Sequence, residues 1–423
     1  MASYLTDDTK AIILLCGVFG NDRSVSPLSP SEYNSLTLWL RRSELRPASL
    51  LHQADISAVA AGSGIDKIRL DKLLGRGVQL GFAVEEWQRN GLWVISRSDE
   101  DYPARYKSHL KEKAPPLLFG AGDKALLQGG GLAIVGSRNV DIVGEDFTRH
   151  VAEECAFSNL PVISGGARGV DQIAMRSALA SGGRVIGVLA ENLLKASVER
   201  HARRAIADGQ LLLMSPYHPN ARFAVGTAMG RNKLIYAMAD YGLVVSADYN
   251  KGGTWSGAVE ELKRDKPIPV FVRTGQNAPQ GNHKLLESGA HPWPDHIIQG
   301  EMATQLAEGA MRKSAPASTK KSDPQQMSLL DVHLSPQPND QPAPQISIPQ
   351  APAKPVDESE SQPAMTVYDA VLPVLLANLQ EPVSSDDLAQ RLDVNKTQLN
   401  LWLKRAVDDG LIRKLKKPVR YSV

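Results

Sequence analysis

Apolar and polar positions change period several times along this chain, and each change marks an element. Over residues 1–90 the apolar positions recur at helical spacing, at 11–18, 35–40 and 65–74. Ser29-Pro30-Ser31-Glu32 supplies the cap, proline and early acidic residue expected where a helix starts. Between 91 and 300 the period shortens. Short apolar runs at 91–97, 116–119, 132–135, 161–163, 185–189, 211–214, 242–247 and 268–272 read as strands. Helix-length segments at 143–157, 171–181, 196–207, 232–239 and 255–263 separate them. This alternation predicts a Rossmann-like parallel sheet with crossover helices. Pro269 places the last run near an edge, because proline cannot donate to a central ladder.

The pattern then lapses. Ten of the 27 prolines fall within residues 314–364, among Gln, Ser and Ala. So little apolar area cannot offset the entropy of ordering, and a disordered linker is expected. Order returns with helices at 367–376 and 388–392 and a third from Lys396 to Asp408, stopped by Gly410. Two short strands, 411–415 and 419–422, complete a winged helix-turn-helix. The expected fold class is therefore α/β: a Rossmann-like parallel sheet core, an N-terminal helical domain and a C-terminal winged helix-turn-helix. Its segments are a helical module (1–90), a Rossmann-like domain (91–300), a Pro/Gln-rich linker (301–365) and the winged helix (366–423). The segment Val59-Ala60-Ala61-Gly62-Ser63-Gly64-Ile65 resembles the glycine turn of small helical DNA-binding modules of the sterile-alpha-motif or helix-hairpin-helix kind, and a plain helix–helix connection is the favoured explanation.

Composition narrows the setting. A net charge of +2 over 423 residues leaves nucleic-acid binding to local patches rather than a global field. No run of about 18 apolar residues is present, and the apolar start, with acidic residues before it, reads as a first helix rather than a signal peptide. Cys16 and Cys155 stand apart from each other and from any metal-ligand spacing, which suits a reducing cytoplasm. The histidines form no HExxH-like pair, so no metal or cofactor is expected.

Candidate chemistry sits in the loops that follow the strands. Gly136-Ser137-Arg138 and Ser164-Gly165-Gly166-Ala167-Arg168-Gly169 each end an apolar run, and Arg231-Asn232-Lys233 and Gly252-Gly253-Thr254 border two others. Loops at the carboxyl ends of parallel strands form the ligand crevice of an open sheet. Glycine there lets backbone N–H groups approach an anion, and arginine forks onto phosphate oxygens. The plainer alternative is that Arg138 and Arg168 pair with Asp141 and Asp171 to hold the loops. The Walker spacing is missing, as is the dinucleotide G-x-G-x-x-G. No Ser-His-Asp, metal or paired-carboxylate arrangement adjoins these loops, so a binder rather than an enzyme is expected.

The order VGSR, SGGARGVDQIAMRSAL, GRVIGVLA, Arg231-Asn232-Lys233-Leu234-Ile235 and Gly252-Gly253-Thr254-Trp255-Ser256-Gly257-Ala258 resembles the DNA-processing protein A (DprA/Smf) family. Upstream, Trp93-Val94-Ile95-Ser96, Asp101-Tyr102-Pro103 and Pro115-Pro116-Leu117-Leu118-Phe119-Gly120 resemble its lead-in. The resemblance covers about 91–295 and implies a single-stranded DNA binder. It implies a cytoplasmic homodimer that helps load the RecA recombinase in transformation or recombination. Met175 stands where the family usually has histidine, and Lys233 where it usually has arginine. Gly252-Gly253-Thr254 with Glu260 and Glu261 also looks like the motif of nucleoside-monophosphate phosphoribohydrolases, with Lys251 in place of its proline. That enzyme, or a nucleotide sensor in phage defence, is the alternative on the same fold.

Two further motifs stand outside the crevice. In the winged helix, Lys396, Thr397, Gln398, Lys404 and Arg405 on the third helix and Lys416 and Lys417 in the wing suit DNA contact, while protein docking stays open. In the linker, Gln326, Met327, Leu329 and Leu330 resemble the pentapeptide that binds the bacterial sliding clamp.

Overall fold

The computed structural model describes residues 5–19, 25–52, 54–275, 277–311, 367–392, 394, 396–415 and 420–422. The chain divides into two units, 1–323 and 324–423.

The first unit starts with helices α1 (Asp7–Cys16), α2 (Pro30–Arg42), α3 (Ser49–His52), α4 (Ile56–Ser63), α5 (Lys67–Leu74) and α6 (Gly77–Arg89). Ser29 and Glu32 close a full capping box on α2, with Pro30 in its first turn. Arg69 forks onto the same Glu32, and these hydrogen bonds, followed by that of the Ser29 amide, hold its carboxyl down at about 2. Gly64 ends α4 in the left-handed conformation, φ 73°. Helices α2 and α4 touch closely because Gly62 has no side chain: a Cβ there would lie 1.8 Å from Trp39 Nε1.

The sheet follows as β1 (Trp93–Ser96), α7 (Ala104–Leu110), β2 (Leu117–Ala121), β3 (Leu132–Gly136), α8 (Ile142–Phe157), β4 (Val162–Ser164), α9 (Val170–Ala180) and β5 (Val185–Val188). It continues through α10 (Leu193–Val198), α11 (Arg200–Ala207), β6 (Leu211–Ser215), α12 (Val225–Met238), β7 (Tyr241–Ser246), α13 (Gly252–Leu262), β8 (Val270–Val272), α14 (Gln280–Glu287) and β9 (His291–Pro292). Strand order is β1-β2-β6-β5-β4-β3-β7-β8-β9. From β6 to β9 every pair is parallel. The expected parallel sheet is nevertheless mixed, because β2 pairs antiparallel with both β1 and β6. An apolar run does not encode strand direction, so the spacing of runs could not show this hairpin.

Successive strand residues alternate between two cores. Leu132 and Ile134 share one with Val151 of α8 and Ala174 of α9, and Ala133 and Val135 share the other with Leu234 of α12 and Ala258 of α13. The first core also takes in Ile12, Leu36 and Leu70. The amino-terminal helices therefore pack onto the sheet through one continuous core, and the boundary expected at residue 90 separates no core. Polar groups fasten the joint: Thr9 donates to Asp99 at 2.6 Å and lies 2.7 Å from Ser96 Oγ.

Three further expectations shift. The helix expected at 196–207 is two, broken at Glu199, where the backbone is extended. Helix α12 begins at Val225, earlier than expected, because Gly226 and Gly230 weaken its local helix signal. Helix α15 (Met302–Met311) occupies the start of the expected linker, with Met302 and Leu306 fully buried and Met302 Sδ 3.5 Å from Cys155 Sγ. Residues 312–365 lie outside the described residues. Strand β8 starts after Pro269 and is second from the edge, with β9 beyond it.

The second unit contains α16 (Val367–Ala377), α17 (Ser385–Arg391), α18 (Lys396–Asp408), β10 (Arg413–Leu415) and β11 (Arg420–Ser422). Ser384 caps α17 by accepting from the Asp387 amide. Leu375, Leu388, Leu399, Leu403 and Tyr421 form its core, and Val383 bridges to Tyr421 beside the antiparallel β10–β11 pair.

Gly62→Ala separates two opposed effects. Alanine gains about 1 kcal/mol of helix propensity over glycine, but its Cβ drives into the Trp39 indole, and overpacking costs about 1–3 kcal/mol. The variant is expected to unfold at lower urea concentration than the parent. A midpoint that rises overturns this account.

Candidate phosphate-binding crevice

Strand β3 lies between β4 and β7, so the chain runs one way from β3 to β6 and returns on the other side at β7. This is the topological switch point, where open α/β sheets bind ligands. A cavity of about 430 Å³ opens there among the loops that follow β3, β4 and β7. A larger one, of about 730 Å³, adjoins it, and Arg138 and Arg231 line both.

Glycines set the close approach of these loops. A Cβ on Gly136 would meet Val170 Cγ2 at 2.4 Å, and one on Gly169, whose φ is 85°, would meet Ser137 O at 2.4 Å. Only glycine fits either position. Thr254 Oγ1 donates to Gly136 O at 3.0 Å, and Asn232 Nδ2 donates to Gly253 O at 2.8 Å, so α12 and α13 clamp the rim. At the end of β7, Asn282 Oδ1 accepts from the Ala247 amide at 3.0 Å while its Nδ2 donates to Val245 O and Arg273 O. Every polar group of that buried amide is used, which holds the β7 side rigid.

Arg231 is the floor. Its side chain is only 6% exposed and lies against Gly165, where a Cβ would fall 1.0 Å from Nη1. Asp171 Oδ2 stands 3.6 Å from Nη1 and accepts from the Gly165 amide at 3.1 Å. Burial pushes the Asp171 carboxyl up, against the pull of Arg231 and the loop amides. Burial likewise pushes the Arg231 guanidinium down, against the pull of Asp171. A guanidinium keeps its proton regardless. Its Nε and Nη1 have no hydrogen-bond partner, so two buried donors face an unfilled need.

The other expected residues divide. Arg138 is exposed and sits over the Phe223 ring, 5.4 Å from its centroid. Arg168 is exposed on the rim of the larger cavity and donates to Asn139 Oδ1. Gly252, Gly253 and Thr254 line the smaller cavity, and Gly165 and Gly166 the larger. Ser164 does not reach a ligand: it is buried and its hydroxyl donates to Ile134 O at 2.7 Å, inside the sheet. Lys233 lines neither cavity, because two helical steps from Arg231 carry it to the opposite side of α12. The pairing considered for Arg138 and Arg168 does not form either. Asp141 caps α8 and lies 3.6 Å from Arg273, while Asp171 belongs to Arg231. Sequence reasoning missed Phe223 and the Asp171–Arg231 pair; the one available signal was an acid in the first turn after a glycine loop. Glu261 is buried elsewhere, bound by Arg264, His109 and the Ile268 amide, and neither it nor Glu260 lines the crevice.

In the second unit, Arg405 is exposed, 3.8 Å from Asp409, and Lys396, Thr397, Gln398 and Lys404 fall on α18. Lys416, Lys417 and the pentapeptide with Gln326, Met327, Leu329 and Leu330 lie outside the described residues.

The structure is that of a Rossmann-like α/β protein with a cationic, glycine-lined crevice at the switch point of its sheet. Residues 93–300, just under half of the chain, match the family described as DNA recombination-mediator protein A, and this segment is similar to the DprA/Smf proteins. A DNA processing protein DprA of Mycobacterium tuberculosis is 31% identical over 169 residues, which cover 37% of this chain and 41% of the relative. The DNA processing protein DprA of Bacillus subtilis is 26% identical over 211 residues, covering 48% of this chain and 69% of the relative. The crystal structure of DNA processing protein A from Streptococcus pneumoniae shares the fold, with a TM-score of 0.55 and 21% identity over 71% of this chain and 98% of that one. The chain thus spans less than half of the length of the mycobacterial relative.

Asp171→Ala leaves the Arg231 charge buried and unpaired. The variant is expected to lose about 3–5 kcal/mol of stability, read by urea unfolding. Inorganic phosphate is expected to recover part of that loss by supplying the missing counter-charge. Unaltered stability overturns the assignment of this pair.

Proposed function

We propose that this protein binds single-stranded DNA in the switch-point crevice and acts as a recombination mediator that delivers the strand to a RecA-type recombinase. The observation that carries the reading is Arg231, buried, charged and short of acceptors at the floor of a basic crevice. Phosphate oxygens fit that need, because arginine forks onto them. The aromatic setting favours a single strand over a free nucleotide. Phe223 is 46% exposed beside Arg138, and Tyr249 and Trp255, whose rings lie 5.1 Å apart, flank the Gly252 loop. Exposed rings beside phosphate sites offer stacking platforms for unpaired bases. The names of the Bacillus and Mycobacterium relatives agree with this reading.

The reading extends to a cytoplasmic homodimer that serves transformation or recombination, with the second unit as a tethered winged-helix auxiliary and the pentapeptide as a sliding-clamp contact. No helix among the described residues is long and apolar enough to cross a membrane. We read the protein as a mediator rather than a catalyst. The phosphoribohydrolase alternative rests on Glu260 and Glu261 of its motif, and neither lines the crevice, Glu261 being committed to His109 and Arg264.

Arg138→Ala tests the binding reading, since Arg138 is exposed and its loss spares the core. Affinity for a labelled oligothymidylate is expected to fall, and the slope of log affinity against log salt to flatten by about 0.7 per lost phosphate contact. Unchanged affinity and slope sink the proposal. Release of ribose phosphate from AMP by the parent protein favours the enzyme instead.

A chain ending at Met311 keeps α15 on the core and removes the second unit. It is expected to fold, to retain single-strand binding at reduced affinity, and to lose RecA-independent duplex binding. Circular dichroism with gel-shift titration checks this, and loss of all single-strand binding contradicts it.

A further inference from the structure

Helix α11 carries charge that the crevice does not account for. Arg200, Arg203 and Arg204 recur on it at i, i+3 and i+4 and share one face. The opposite face carries Ala202, Ala205 and Ile206 into the core, so the arginines point to solvent, and all three are exposed. Among the described residues the carboxylate paired with them is Asp208, 3.8 Å from Arg204 Nε. Local stability does not favour this arrangement. Arg200 and Arg204 are like charges one turn apart, and Arg200 and Arg203 lie in the first turn, where cations oppose the helix dipole, although Arg204 in the last turn is favoured by it. Glu199 makes no side-chain cap to offset it. Charge placed against local stability points to an external partner.

The helix adjoins the crevice. Its His201 and Ala202, with Lys195 of α10, line the larger cavity together with Arg138, Arg168 and Arg231. Two carboxylates, Glu191 and Glu199, stand on the same wall, and Arg200, Arg203 and Arg204 lie outside the cavity on the exposed face of the helix that borders it.

We propose that α11 is a second anchor for the polyanion seated in the crevice: a single strand held at Arg231 and Arg138 runs along the larger cavity and lays its next phosphates across Arg200, Arg203 and Arg204. The inference rests on the single-strand reading above. A polynucleotide suits this surface better than an acidic protein does, because the arginines lie on a helix that borders the basic crevice through His201 and Ala202. It follows that affinity grows with strand length until α11 is reached.

The test uses the full chain and two labelled oligothymidylates, one of about 4 nucleotides and one of about 20. The variant is Arg200→Gln with Arg203→Gln and Arg204→Gln; none of these side chains enters the core. For the long strand, the salt slope is expected to flatten by about 2, at ~0.7 per phosphate contact, and affinity to fall about tenfold or more at low salt. The short strand is expected to bind as before. Lysine at the same three positions should restore long-strand binding, since a point charge still attracts phosphate. Parental affinity and slope for the long strand in the glutamine variant overturn the proposal and leave an acidic protein surface as the partner. Equal weakening of both strands also overturns it, because α11 then acts on the crevice itself. Arg138→Ala separates the two readings: it weakens both strands if the crevice binds phosphate, and if neither changes, the crevice reading is what fails.

Discussion

Burial of the Arg231 guanidinium is the constraint on which the site is arranged. A charge this deep costs several kcal/mol of lost hydration unless a counter-charge stands by, and Asp171 supplies it at 3.6 Å. The pair imposes conditions on its surroundings. Gly165 must lack a side chain, α9 must begin so that Asp171 lies in its first turn, and α12 must cross below the loop. An apolar pair would fill the space at less cost. Two retained charges with unused donors mark a candidate functional site.

The crevice inherits its rigidity from the layers around it. Thr254 and Asn232 tie α13 and α12 to the rim, and Asn282 locks the end of β7 through three backbone groups. On the other side of the sheet, the amino-terminal helices share a core with β1 and β2 and are fastened through Thr9, Ser96 and Asp99. That layer adds buried area to the sheet's far edge and leaves the carboxyl ends of the parallel strands open. A scaffold held this firmly presents a preformed surface, and a preformed surface loses less entropy when it binds a flexible strand.

Much was legible along the chain because the relevant physics is local. Alternating apolar runs located β3 to β8, since a strand buried on both faces must be apolar throughout. Glycine loops after those runs located Gly136, Gly165, Gly169 and the Arg138 rim, because backbone packed this closely against a neighbouring side chain or carbonyl leaves no room for a Cβ. The capping box at Ser29 was readable for the same reason: one side chain and one amide, three residues apart, satisfy each other.

What depends on distant partners was not legible. Strand direction in the β1–β2 hairpin leaves no trace in an apolar run. Helix α15 looked like the start of a linker because its apolar positions, Met302 and Leu306, are few and find their core only when the sheet is assembled. Ser164 and Arg231 show the limit most clearly. Both were expected in loops beside strand ends, yet Ser164 ends β4 and is spent on Ile134 O within the sheet, while Arg231 sits in α12 beneath Gly165 with donors to spare. Residue type and spacing determined that a basic, glycine-lined crevice would form. Which of its side chains are spent on the fold and which are left over was decided by tertiary contacts between segments as far apart as Gly136 and Thr254, where local pattern carries no information.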